Sequence, residues 1–245
     1  MRFGLDENGC VSLRDAWESN ADDWIRWARR PGFDSYHQFH GRRFLEIVPP
    51  PGRLTVDLGA GEGRLARDLR SLGHRVIALD ASPSLARACA EMDEAIPVVI
   101  ADAAVVPLRS GCADLVIAFM SLMDIDDWTS TIAEASRLLS PGERFLIAIV
   151  HPINAAGSFQ GDGENPDDPF VISGSYMTTT RFEDRIERDG LAMTFHGEHR
   201  PLSAYFSVLR GSGFVVEDIR EVTVEAPTDR WSRIPMFLHL SAVRS

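Results

Sequence analysis

Three glycines in alternate positions, Gly59, Gly61 and Gly63, stand between an apolar run that ends in an acid, Val56-Asp57-Leu58, and a helical pattern that starts at Arg64. A strand-to-helix glycine turn presents backbone N–H groups at a helix N-terminus and lets a ligand approach where a Cβ would block it. Two cofactor classes compete for such a turn. A dinucleotide fingerprint, G-x-G-x-x-G/A, needs a third small residue so that helix and strand pack closely. Here Arg64 occupies that place, so the dinucleotide reading loses. Away from the turn, His151, His196 and His199 are the side chains best suited to move a proton near neutral pH.

The elements that position these groups alternate strand and helix, which predicts a parallel sheet covered on both faces. Two amphipathic helical segments, about Ser12–Arg29 and Ser35–Val48, come first. The pattern then predicts strand Leu54–Leu58, helix Gly63–Ser71, strand Arg75–Asp80, helix Pro83–Met92, strand Val98–Ala101 and strand Ala113–Phe119. Helix Asp126–Leu139 stops at "SPGE", and a fifth strand covers Arg144–Val150. The rhythm breaks after Val150. The stretch to about Arg200 lacks clean periodicity and reads as a lid, because loops this long tend to be functional. Patterning returns with a helix at about Leu202–Arg210 and strands near Val215–Val224 and Met236–Val243.

The stretch "VDLGAGEGRLARDL" resembles the first motif of class I S-adenosylmethionine-dependent methyltransferases of the type 11 kind, and further motifs follow in order. "VIALDAS" ends the second strand in Asp80, roughly twenty residues past the glycines, where an acid reaches both ribose hydroxyls. "VIADAAVVPLRSGCADLVIAFMSL" is similar to the family's third and fourth strands, and "EASRLLSPGERFLIAIVHP" to its helix and fifth strand. The terminal "PLSAYFSVLRGSGFVVEDI" resembles its last helix and turn. The resemblance implies an α/β, Rossmann-like fold with a seven-stranded, mostly parallel sheet. A helical cover (1–50), a cofactor core (51–150), a lid or substrate insertion (151–200) and the C-terminal part of the core (201–245) would make one methyltransferase domain. It also implies site roles. Asp57, Gly59, Gly61 and Gly63 would hold the methionyl part, Asp80 and Ala81 the ribose, and Asp102 and Ala103 the adenine edge. Phe119, Met120 and Ser121 would lie below the sulfonium, and Tyr36 or His37 of the cover would touch the methionine end.

Methyl transfer to a hydroxyl or a protonated amine needs a base, and only segments outside the core can supply it. His151 follows the fifth strand at once, where ligand sites of open parallel sheets lie. His196 and His199 return from the lid, with Tyr176 as a further candidate. Asp126 and Asp127 read as helix caps, Ser82 as the cap before Pro83, and Asp124 as a contact facing the acceptor. Trp17, Trp24 and Trp27 recur at about helical spacing, which fits core packing.

Bulk properties exclude several classes. A net charge of −11 disfavours nucleic acid and anionic membrane partners. The chain contains no lysine, which removes Schiff-base, pyridoxal phosphate and P-loop chemistry. Cys10, Cys89 and Cys112 form no disulfide or zinc pattern, and the start carries no secretory signal, so a cytoplasmic location is expected. The expectation is a methyltransferase acting on O, N or C of a small molecule, such as a bacterial secondary metabolite, as a monomer or homodimer without a metal. A nicotinamide-dependent oxidoreductase and a non-catalytic S-adenosylmethionine binder remain the alternatives.

Overall fold

The computed structural model describes residues 11–161 and 165–245. Cys10 and the residues before it, with the signal reading made on them, lie outside the described residues. Two short helices, α1 (Leu13–Ser19) and α2 (Ala21–Arg29), come first, followed by a π-turn at Tyr36–His40 and α3 (Gly41–Leu45). The core then runs β1 (Thr55–Leu58), α4 (Arg64–Ser71), β2 (Val76–Asp80), α5 (Pro83–Met92), β3 (Val98–Ile100) and β4 (Ala113–Phe119). After a 3-10 turn at Leu122–Asp124 come α6 (Trp128–Leu138) and β5 (Leu139–Val150). The insertion holds α7 (Pro152–Ala156), β6 (Gly157–Phe159), β7 (Phe170–Ile172), β8 (Thr180–Arg188) and β9 (Leu191–His199). The chain returns through α8 (Leu202–Gly211), β10 (Phe214–Val222) and β11 (Phe237–Arg244).

Seven strands form one sheet in the order β10-β11-β5-β4-β1-β2-β3. The strands β1 to β5 pair in parallel, whereas β11 runs antiparallel between β5 and β10. All four residues of β1 are buried, as a strand covered by helices on both faces requires. Two apolar clusters fill the two faces: one joins Val116, Ile132 and Tyr205, the other Leu65, Ile117 and Phe44. The order of strand addition reverses at β1, with β2 on one side and β4 on the other. That reversal opens a crevice at the carboxyl ends of the strands.

Caps set the helix starts that border this crevice. Gly63, with φ of 84°, stands before α4, Ser82 and Pro83 open α5, and Asp127 accepts from Ser130 N to open α6. Three expectations need correction. The segment read as one helix over 12–29 breaks at Asn20, whose side chain turns to His196 instead of capping. The segment over 35–48 is a π-turn and one short helix. β5 starts before "SPGE", which is a bulge where pairing with β4 jumps from Leu139 to Arg144.

The insertion is more regular than its sequence suggested. β8 and β9 form a nine-pair antiparallel hairpin closed by Asp189 and Gly190, with φ of 46° and 75°. Both central residues in the left-handed region make the tight hairpin turn that Asp-Gly favours. The outer strand β8 is mostly exposed, while β9 lies against α1 and α2 and joins Met193 and Phe195 to Trp17, Trp24, Trp27 and Phe33. The tryptophans therefore pack in a core between cover and hairpin.

Candidate functional site

One cavity of about 1030 Å³ opens at the carboxyl ends of β1, β2 and β4, beneath α1, α2 and the β8–β9 hairpin. Ligand pockets commonly span roughly 300 to 1,000 Å³, so there is room for a nucleoside-sized cofactor and a second molecule.

The glycine turn forms one end. Gly59, Gly61 and Gly63 have φ of 73°, 60° and 84°. A Cβ on Gly59 would meet Ser121 Cβ at 2.4 Å, and one on Gly63 would meet Cys89 Sγ at 2.3 Å. Only glycine lets β4 and α5 close on the turn. Gly59 and Gly61 line the cavity; Gly63 does not, and serves instead as the left-handed residue that starts α4. Asp80 braces the turn: its Oδ2 accepts from Gly61 N at 2.7 Å and its Oδ1 from Ser82 N at 2.9 Å. Asp57 is buried, with Oδ2 left without a partner. Burial, and then the charge of Asp80, push its carboxyl up to about 7. A buried carboxylate oxygen with no donor, beside a cradle that any Cβ would fill, fits a cationic or amine-bearing ligand.

Ala81, Asp102, Ala103, Phe119, Met120 and Ser121 also line the cavity. Met120 adopts φ of 55°, rare for a residue with a side chain, at the tip of β4. Tyr36 does not reach the wall. Its hydroxyl donates to Asp68 at 2.7 Å and its ring lies against Phe119. The Arg64 guanidinium sits 4.6 Å from the Tyr36 ring and 4.8 Å from Trp24, and pairs with Asp34 at 2.8 Å. Tyr36 thus supports a cation that does line the cavity, Arg64. His37 is likewise absent from the wall.

Of the three histidines proposed as bases, the structure brings one to the cavity. His196 lines it, with Nε2 2.7 Å from Asn20 Nδ2. His151 is 2% exposed and spends both ring nitrogens elsewhere: Nδ1 accepts from Ile153 N to cap α7, and Nε2 meets Glu221 at 3.0 Å. Its pKa is lowered by burial, against the opposing Glu221. His199 is buried off the cavity, with Nε2 donating to Tyr176 O, while the Tyr176 hydroxyl accepts from Leu202 N. The pair clamps the entry to α8.

Asp124 lines the cavity, and burial holds its carboxyl well above the usual range although Arg200 opposes this. Asp126 does not cap α6. It accepts from Leu13 N and Arg181, tying the loop after β4 to α1 and β8.

Two residues bordering the site went unread in the sequence. Glu18 of α1 accepts from the Ser82 hydroxyl and from Ser84 N and Oγ, which pins the cover beside Asp80. His40 lines the cavity and hydrogen-bonds His239 across to β11. A signal for it existed: His40 and the core residue Phe44 are four apart, on one helical face.

Comparison with known proteins agrees with this geometry. Residues 56–147 match a family model described as a methyltransferase domain. A ubiquinone/menaquinone biosynthesis C-methyltransferase of Acidiphilium cryptum is 34% identical over 45% of this chain and 47% of its own length. The chain spans about half the length of the curated relatives it matches. Among solved structures, an S-adenosylmethionine-dependent methyltransferase from Mesorhizobium loti superposes with a TM-score of 0.67 at 24% identity, covering 83% of this chain and 96% of that one. A glycopeptide N-methyltransferase complexed with S-adenosylmethionine gives 0.60 at 18% identity, covering 83% and 92%. These two share the fold. Among the described residues no helix is long and apolar enough to cross a membrane.

Proposed function

We propose that this chain, which belongs to the class I S-adenosylmethionine-dependent methyltransferases, transfers a methyl group to a small molecule enclosed beneath its cover and hairpin. The carrying observation is the unpartnered Oδ2 of Asp57 in a turn that only glycines can form, on one wall with Asp80 and Asp102. S-Adenosylmethionine, when bound, supplies a methyl on a sulfonium open to in-line attack; the protein supplies orientation. Asp57, Arg64 and the N–H groups of the turn hold the methionyl part, Asp80 and Ala81 the ribose, and Asp102 with Ala103 the adenine. Phe119 and Met120 form the apolar floor under the reacting centre.

A ring-lined chamber beneath the cover and hairpin supports a small acceptor over a macromolecule. The charge of −11 supports the same choice against nucleic acid. The curated relatives named for quinone methylation fit such a chamber. Residues 151–200 act as the acceptor lid in this reading, and a metabolite of secondary metabolism, handled in the cytoplasm by a monomer or homodimer, remains our choice. Incubation with [methyl-14C]S-adenosylmethionine and an acceptor library tests it. Label in a small-molecule product is expected; cofactor binding without transfer to any acceptor would make the protein a binder only.

A further inference from the structure

Two histidines that the cofactor assignment leaves unused meet where the π-turn packs against β11. His40 ends the π-turn, and His239 lies within β11. Their Nε2 atoms are 2.9 Å apart, and the rings stack at 5.0 Å and 16°. Phe237 stacks on His40 at 3.7 Å and 5°, and Phe119, the last residue of β4, lies 4.8 Å away. Both histidines are buried, but only His40 lines the cavity. Its Nε2 is committed to His239, and no described residue hydrogen-bonds its Nδ1. A π-turn is rare and concentrates at functional sites.

We propose that His40 is the catalytic base of the transfer, that His239 positions it, and that the acceptor carries a phenolic hydroxyl on a flat apolar body. This rests on the S-adenosylmethionine reading above. The hydroxyl oxygen bonds to the methyl carbon as the carbon–sulfur bond breaks, the pair stays on sulfur, and the hydroxyl proton passes to His40 Nδ1. With the His40 Nε2–H donating to His239, Nδ1 holds the free pair that receives it.

The surroundings keep both rings neutral. Burial, then His239 and Arg64, hold His40 well below the usual imidazole range. Burial, then Arg220 and Arg43, push His239 down to about 4. A neutral imidazole is the form that accepts a proton. A phenol ionises near pH ~10, within reach of such a base once attack acidifies it. Phe39, Phe159, Trp231, Met236 and Phe237 line the same cavity and suit a flat apolar body.

The test uses 2-naphthol, 7-hydroxycoumarin and an alkyl hydroquinone, each with its matching aryl amine. Calorimetry with S-adenosylhomocysteine comes first, since failure there sinks the cofactor reading itself. Where that ligand binds, the phenols are expected to be methylated and the amines not. His40→Asn should lower kcat about 100-fold or more while KM and cofactor affinity stay within about threefold. Carbon-13 histidine NMR of the cofactor-product complex should show His40 titrating below the usual imidazole range. His239→Asn, by removing a neighbour that depresses His40, should move both that titration and the acidic limb of kcat upward. The limb shift, with His40→Gln as a second replacement, decides the matter if His40→Asn does not fold. Unmethylated phenols with bound cofactor, an undiminished His40→Asn, or an acidic limb unmoved in His239→Asn would each overturn the proposal.

Discussion

Replacing Asp57 by asparagine should raise stability and lower cofactor affinity together. Asp57 is 1% exposed and its carboxyl is pushed up to about 7 from its ordinary value of 3.8. The folded protein therefore holds a proton there that the unfolded chain releases, so stability grows as pH falls from 7 towards 4. Above pH 7 the buried charge costs about 4 kcal/mol, at 1.36 kcal/mol per unit. Asparagine removes that cost but buries an amide group without a partner, a penalty of about 1–3 kcal/mol. The net gain at pH 8 is about 2 kcal/mol, a rise in Tm of roughly 4–8 °C for a chain of this size. Binding runs the other way. A cationic ligand needs the carboxyl ionised, so wild-type affinity for S-adenosylmethionine should weaken about eightfold from pH 7.5 to pH 6. In Asp57→Asn that slope vanishes, and affinity at pH 7.5 falls about tenfold or more. Differential scanning calorimetry and titration calorimetry in buffers of different ionisation enthalpy read both effects. A variant that melts lower at pH 8, with wild-type binding flat across this range and no proton release, would refute the reasoning.

Asp80→Ala removes the proposed ribose partner and the brace on Gly61, and should weaken S-adenosylhomocysteine about 100-fold by calorimetry. Gly63→Ala forces a side chain into a left-handed position against Cys89 and should cost about 2–4 kcal/mol, read as a lower Tm. His151→Ala should lose about 1 kcal/mol of cap stability while leaving S-adenosylhomocysteine affinity unchanged, as fits a residue off the cavity.

The central strands were legible because parallel strands buried on both faces read as unbroken apolar runs; "ADLVIAF" coincides with β4. The turn at Gly59 to Gly63 was legible because backbone geometry there restricts the residue type itself. The β8–β9 hairpin escaped because its outer face is charged and its alternation weak, although Asp189-Gly190 marked the turn. The site divided along the same line. Residues at the ends of β1, β2 and β4 could be placed from motif spacing. His151 could not be judged, because whether a histidine after a strand faces a cavity or caps the next helix depends on partners far away, here Glu221. His40 depends on His239, 199 residues on, a juxtaposition no local pattern encodes.

One titration bears most directly on the glycine turn: the purified protein meets S-adenosylhomocysteine and NAD(H) in parallel at pH 7.5. Saturable heat at one site is expected for the first and none for the second. Heat with the nicotinamide cofactor alone, or with neither, would contradict the assignment of the glycine turn.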